Sequence, residues 1–318
     1  MSGAGPGDGG AGAAGGGAGR DEAGAAGAGT TAEALGAAVD ALAAAGVDSP
    51  RLDAELLLCA ATGWERAGLA AHPERGVEPA AARRFGEWVR RRVRREPVAY
   101  ILGRKHFRHL ELACDRRALI PRPETELLVE VALDLLDPLA GGGQGPVVLE
   151  VGTGTGAIAL AIASERPEWH LIATDTSAEA LALAGENARR LDLADRIDLR
   201  PAPSATAEVS GKPSAPSTPI APGEAAATGI PAPDQDAAAG SRAIDLVVAN
   251  LPYVPDEDWP TLAPEIREYE PRQALLGGPD GLEVIRTVVA QTAAPPKPAL
   301  PTPAPPRPPR RRCPASRP

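Results

Sequence analysis

From Thr30 onward the chain passes through two apolar rhythms, first one of helical period and then one that alternates strand and helix. Leu35, Val39 and Leu42 recur at helical spacing behind Thr30-Thr31, a pair able to cap a helix, and Gly46 suits the stop. Ser49-Pro50 opens a second helix with proline in its first turn; Leu52, Leu56 and Cys59 are its expected face and Gly63 its end. A third helix is expected over residues 79–95. Together these predict a small helical domain spanning residues 30–103. Residues 105–120 then alternate, carrying Phe107, Leu110 and Leu112, so residues 104–122 are expected to form an extended, hairpin-like connector. A helix faced by Leu127, Leu128, Val131 and Leu135 follows. From Val147 the spacing predicts strands at 147–151, 170–174, 196–200 and 243–249, and helices at 156–165 and 178–191. This βαβ order predicts an α/β domain over residues 123–292, with a parallel sheet wrapped by helices.

Three segments break the rhythm. Residues 1–29 are mostly Gly and Ala and cannot bury enough apolar surface to offset the entropy of ordering, so they are expected to be a disordered tail. Residues 201–241 hold eight prolines and no aromatic residue, and are expected to be a disordered insertion between the third and fourth strands. Residues 293–318 form a Pro/Arg-rich tail that cannot supply strands.

Composition narrows the functional classes. The formal net charge of -9 argues against a general nucleic-acid binder. Three scattered cysteines, Cys59, Cys114 and Cys313, match no metal spacing and no disulfide framework, which fits a reducing cytoplasm. No secretory leader and no membrane-spanning stretch is expected. Between Arg83 and Arg108 the chain is strongly basic, either a docking face for an acidic or RNA-associated partner or a solvated helix face. His106 and His109 lack ligand spacing, and no metal site is expected.

Two motifs carry chemistry. Gly152-Thr153-Gly154-Thr155-Gly156 follows an apolar strand and opens a helix at Ala157. Glycines permit a sharp turn and close approach of a ligand, and the helix start offers free amides. Asp175 ends the next strand, where a carboxylate can accept both ribose hydroxyl protons. These features alone do not separate a dinucleotide from S-adenosylmethionine. Asn250-Leu251-Pro252-Tyr253, at the end of the fourth strand, makes the separation. The Asn250 side-chain oxygen and the Leu251 carbonyl can each accept an N–H from a target nitrogen. Pro252 restrains Leu251, and Tyr253 offers a flat face. The pair of motifs predicts methyl transfer to a nitrogen.

At this point the chain resembles a family, the peptide chain release factor glutamine methyltransferases. The resemblance rests on Pro97 to Arg104 with His106-Phe107, on Ile120-Pro121-Arg122-Pro123-Glu124-Thr125-Glu126, on Glu270 to Leu275 and on Gly277 to Leu282, besides the two motifs above. It covers roughly residues 30–200 and 242–292. It implies a Rossmann-like class I S-adenosylmethionine-dependent methyltransferase domain behind a helical domain that engages the release factor. It implies methylation of the glutamine in the Gly-Gly-Gln tripeptide of class 1 release factors. A cytoplasmic monomer is expected, with an incidental contact to ribosomal RNA left open. By that resemblance Gly152, Thr153, Gly154, Thr155, Gly156, Asp175 and Asn250 bind S-adenosylmethionine, while Asn250, Leu251, Pro252 and Tyr253 hold the glutamine amide. The chain departs from the family in having Leu251 where proline is usual, in passing directly from Leu199-Arg200 into the proline-rich insertion, and in entering a proline-rich segment after Ala293, which predicts a truncated sheet. The alternatives are an RNA adenine-N6 methyltransferase, which also uses Asn-Leu-Pro-Tyr, and an inactive, truncated member of the family.

Overall fold

The computed structural model describes residues 29–138, 145–202 and 244–293. Apart from Gly29, Pro201, Ala202 and Ala293, the expected amino-terminal tail, insertion and proline-rich tail lie outside the described residues. The chain divides into two compact units between Leu102 and Gly103.

The first unit is helical: α1 (Thr31–Ala44), α2 (Pro50–Thr62), α3 (Arg66–Ala71), α4 (Pro79–Val93) and α5 (Val98–Leu102). Thr30 and Glu33 form a reciprocal capping box at the start of α1. Gly63 ends α2 in the left-handed conformation. Leu35, Leu42, Leu57, Leu58, Phe85 and Ile101 form the core. The expected face of α2 is corrected. Leu52 is exposed, and the buried row is Asp53, Ala54, Leu57, Leu58 and Ala61. A carboxylate belongs to that row because Arg92 of α4 reaches it at 2.7 Å, both side chains being buried. An apolar count therefore assigns Asp53 to the wrong side. α3 and α5 were not expected; helices this short carry too little periodicity to register.

The basic run of α4 is largely spent inside this unit. Arg84 donates to the Ala61 carbonyl, Arg91 grips Glu96 at 2.7 Å, Arg92 pairs with Asp53, and Arg95 donates to the Ala45 and Gly46 carbonyls. These four arginines tie helices and loops together.

The second unit opens with an antiparallel hairpin, β1 (Arg104–Phe107) and β2 (Leu110–Ala113), followed by α6 (Glu126–Leu136). Then come β3 (Val147–Val151), α7 (Ala157–Glu165), β4 (His170–Asp175), α8 (Ala178–Arg190), β5 (Ile197–Pro201), β6 (Leu246–Ala249), α9 (Pro264–Tyr269) and α10 (Glu283–Ala293). Among the described residues β3 to β6 form one parallel sheet in the order β5-β4-β3-β6. β3 lies inside it and is buried along its whole length, which explains why four of its five residues are Val or Leu rather than alternating with polar types; Glu150 is the exception.

The expected face of α6 is also corrected. Leu127, Val131 and Leu135 are exposed, whereas Val129, Ala132, Leu133 and Leu136 enter the core and Leu128 packs against it. The helix carries two apolar stripes, and its own sequence does not choose between them. The core shared with Val148 and the α7 residues Ile158 and Ile162 selects the second. β6 begins at Leu246, three residues later than expected.

Candidate active site

Parallel registration brings the two sequence motifs together. Val151 of β3 pairs with Ala249 of β6, so Gly152 and Asn250 leave adjacent strand ends. A Cβ built on Gly152 would lie 3.9 Å from the Leu251 side chain. On the other flank, β4 pairs with β3 and delivers Asp175 to the turn, where its carboxylate accepts the Gly154 N–H at 2.9 Å. The same carboxylate accepts the Ser177 N–H at 2.9 Å.

The residues of the glycine turn differ in role. Gly152, Gly154 and Gly156 all have positive φ, of 76, 56 and 83°. Beside Gly152 and Gly154 a Cβ would make one ordinary contact each, with the Leu251 side chain at 3.9 Å and with Ala118 at 3.8 Å, and both glycines are only half-buried, so a ligand can approach their backbone. At Gly156 it would come within 2.8 Å of Leu160 and 3.3 Å of Ala184, so this glycine permits close packing of α7 and α8. Thr153 and Thr155 are buried as whole residues: the Thr153 N–H donates to the Thr174 carbonyl, and the Thr155 carbonyl accepts from Asn187, so both brace the turn from beneath. An open cradle of backbone with a carboxylate at its edge fits the amino-acid and ribose portions of S-adenosylmethionine.

Asn250, Leu251, Pro252 and Tyr253 line a cavity of about 220 Å³ together with Arg122, Thr125 and Leu275, among others. Asn250 donates from its side-chain nitrogen to the Thr125 hydroxyl at 3.1 Å. Tyr253 is 65% exposed and forms an open wall. Arg122 contacts the buried carboxylate of Glu270 at 2.5 Å, and Glu270 also accepts the Ile120 N–H at 3.1 Å. Two strings far apart in sequence, residues 120–126 and 270–275, thus frame the cavity.

The electrostatics beneath the turn are unusual. Glu150 is fully buried in β3 and accepts from the Thr153 hydroxyl at 2.7 Å and from the Ala159 N–H at 3.1 Å. Burial pushes its carboxyl up to about 8, against the pull of those two donors and with some help from the nearby Asp175 charge. Asp175 is raised as well, chiefly by burial.

The expected residues are therefore gathered at the ends of three neighbouring strands, β4, β3 and β6. Sequence reasoning gave no role to Thr125, Glu150, Arg122, Glu270 or Asn187. Asn187 is completely buried, exchanges two bonds with the Ala113 backbone and donates to the Thr155 carbonyl at 2.9 Å, joining the hairpin to the glycine turn. Arg122, Thr125 and Glu270 lie in the strings that carry the resemblance, and Glu150 stands out as a polar type inside an apolar run, but neither signal names a partner. Among the described residues no group of His, Cys, Asp or Glu could hold a metal ion, and no helix is long and apolar enough to cross a membrane.

Comparison with known proteins agrees along the chain. A family model described as the PrmC N-terminal domain matches residues 33–103, and one described as a methyltransferase domain matches residues 148–211. A protein of Caulobacter vibrioides named release factor glutamine methyltransferase is 37% identical over 262 residues, covering 82% of this chain and 78% of its own. A protein of the same name from Cereibacter sphaeroides is 38% identical, covering 82% and 80%. One from Pseudomonas aeruginosa is 42% identical over 246 residues, covering 77% and 75%.

Proposed function

The chain belongs to the release factor glutamine methyltransferase family, and from that premise we propose that it methylates the side-chain amide nitrogen of the glutamine in the Gly-Gly-Gln tripeptide of class 1 release factors. The observation that carries this reading is the juxtaposition of Gly152 and Asn250 across paired strands. It sets an open glycine cradle against a cavity headed by an amide and a carbonyl.

S-adenosylmethionine, when bound, supplies an electrophilic methyl group on a positively charged sulfur. Gly152 and Gly154 would hold its amino-acid end, Thr153, Thr155 and Gly156 would keep the turn in shape beneath it, and Asp175 would take the ribose hydroxyls. The difficulty lies with the acceptor, because the lone pair of an amide nitrogen is delocalised into its carbonyl. Asn250 Oδ1 and the Leu251 carbonyl each accept one N–H of the glutamine amide. With both protons held, the nitrogen presents its remaining face toward the cradle. Fixing this orientation supplies roughly 7–11 kcal/mol of barrier reduction in well-aligned cases. The two oxygens also meet the positive charge that develops on nitrogen. No base is required before attack, since the N–H becomes acidic only as the new bond forms. Pro252 stiffens the carbonyl of Leu251, and Tyr253 covers the flat face of the amide.

Leu251 favours a second reading, methylation of an adenine amino group in RNA, because Asn-Leu-Pro-Tyr is the form such enzymes share. The strings at 97–107, 120–126 and 270–282 support the release factor instead. One experiment separates the two: the purified chain is offered a class 1 release factor or ribosomal RNA together with S-adenosylmethionine. A mass gain of one methyl on the tripeptide glutamine, absent from the RNA, is the expected result. Methyl on RNA adenine alone overturns the reading.

A further inference from the structure

We propose that Thr125 is a positioning residue whose hydroxyl holds the Asn250 side-chain amide in place at the cavity; this rests on the functional reading above. An asparagine amide presents a donor and an acceptor of nearly equal size, and a half-turn exchanges them. A target N–H can be received only when the oxygen faces it. In the structure the Asn250 nitrogen donates to Thr125 Oγ1 at 3.1 Å, and in this orientation Oδ1 is the amide atom left for the cavity that both residues line.

The surroundings of Thr125 fit this task better than a helix-capping one. Thr125 stands at the N-cap of α6, where a threonine commonly bonds a backbone N–H of the first turn. Here its backbone is already helical, with φ -68° and ψ -21°, and its side chain makes no capping bond. The hydroxyl is directed to Asn250 instead. Its backbone is fixed in turn: the Thr125 N–H donates to the Arg122 carbonyl at 3.0 Å, and the Arg122 guanidinium is held by buried Glu270. The Arg-Pro-Glu-Thr turn thus acts as a bracket that places one hydroxyl beside the strand-end asparagine.

The test compares the wild type, Thr125→Val, Thr125→Ser and Thr125→Ala with a class 1 release factor as substrate. Thr125→Val keeps the shape and removes the hydroxyl. The kcat is expected to fall roughly tenfold, the scale of one lost hydrogen bond, with KM for S-adenosylmethionine unchanged. Thr125→Ser should restore most of the rate. Side-chain amide proton exchange at Asn250, read by NMR without cofactor or substrate, should be faster in Thr125→Val than in wild type or Thr125→Ser. Wild-type kcat together with wild-type exchange in Thr125→Val overturns the proposal while leaving the functional reading intact. A serine variant as slow as the valine variant overturns it too, since shape and not the hydroxyl would then matter. Should Thr125→Val fail to fold, Thr125→Ala decides, full activity counting against the proposal. A wild-type chain that leaves the release factor unmethylated overturns both this proposal and the reading beneath it.

Discussion

Val151 and Ala249 are partners across two parallel strands, and the residues that follow them, Gly152 and Asn250, leave the sheet along one seam. The pairing converts two motifs about a hundred positions apart into neighbours. Leu251 forms part of the boundary between them, its side chain lying 3.9 Å from where a Cβ on Gly152 would sit. A site divided in this way lets donor-binding and acceptor-binding residues be altered separately, and the first two predictions use that separation.

Asn250→Ala removes the side-chain acceptor and leaves the glycine turn intact. Methylation is expected to fall by roughly 10²–10³-fold, the usual loss when one preorganised polar contact to a reacting group is deleted. Calorimetry should find the affinity for S-adenosylmethionine nearly unchanged. Wild-type turnover in this variant would remove Asn250 from the catalytic assignment.

Gly152→Ala and Gly156→Ala should fail in opposite ways. At Gly156 the added methyl meets Leu160 at 2.8 Å and Ala184 at 3.3 Å with φ at 83°. Strain and overpacking together should lower stability by about 2–4 kcal/mol, visible as a drop in melting temperature. At Gly152 the methyl makes one ordinary contact with the Leu251 side chain at 3.9 Å and clashes with nothing, so the stability loss is confined to left-handed strain of about 1–2 kcal/mol. The larger effect there should be weaker cofactor binding. Unchanged binding in Gly152→Ala would place the cofactor away from this turn.

The legible parts of this molecule are those carried by neighbours in the chain. The strand–turn–helix at Val147 to Ala157, the capping threonine and the Asn-Leu-Pro-Tyr exit each occupy a few consecutive positions, and their physics is local. The illegible parts depend on partners distant in sequence. Asp53 reads as a surface residue until Arg92 arrives beside it, and α6 shows two equivalent apolar stripes until the core chooses one. Thr125 and Asn250 are 125 positions apart, and nothing local to either announces the contact. Glu150 was visible as a carboxylate in an apolar strand, but its two donors come from the turn and helix that follow.

Arg122 and Glu270 should show coupled stability. Glu270 is nearly inaccessible, and its carboxylate is met by one backbone N–H and the Arg122 guanidinium. Arg122→Met leaves the acid buried with a single donor. The full cost of such an orphaned charge is about 3–5 kcal/mol, and the partial exposure of Arg122 reduces the expectation to about 1–3 kcal/mol. Adding Glu270→Gln to that variant removes the charge and should recover part of the loss. Urea unfolding of the two single variants and the double variant measures the coupling; strictly additive losses would show that the pair does not interact.

Glu150 should make stability depend on pH with a definite sign. Burial raises its carboxyl from 4.5 to about 8, so the folded chain holds this proton more tightly than the unfolded chain does. The resulting stabilisation is fully present below about pH 4.5, is lost as pH rises toward 8, and is gone above it. Its size is on the order of 3 kcal/mol after allowance for relaxation around the ionised group. Asp175, raised for the same reason, contributes with the same sign. Glu150→Gln is neutral throughout and keeps an oxygen at the position that receives both donors. Relative to this variant, the wild type should lose melting temperature between pH 5 and 8.5, its deficit greatest at the alkaline end. A constant difference between the two across that range would mean that Glu150 stays ionised in the fold, and the assignment of a neutral carboxyl beneath the glycine turn would fail.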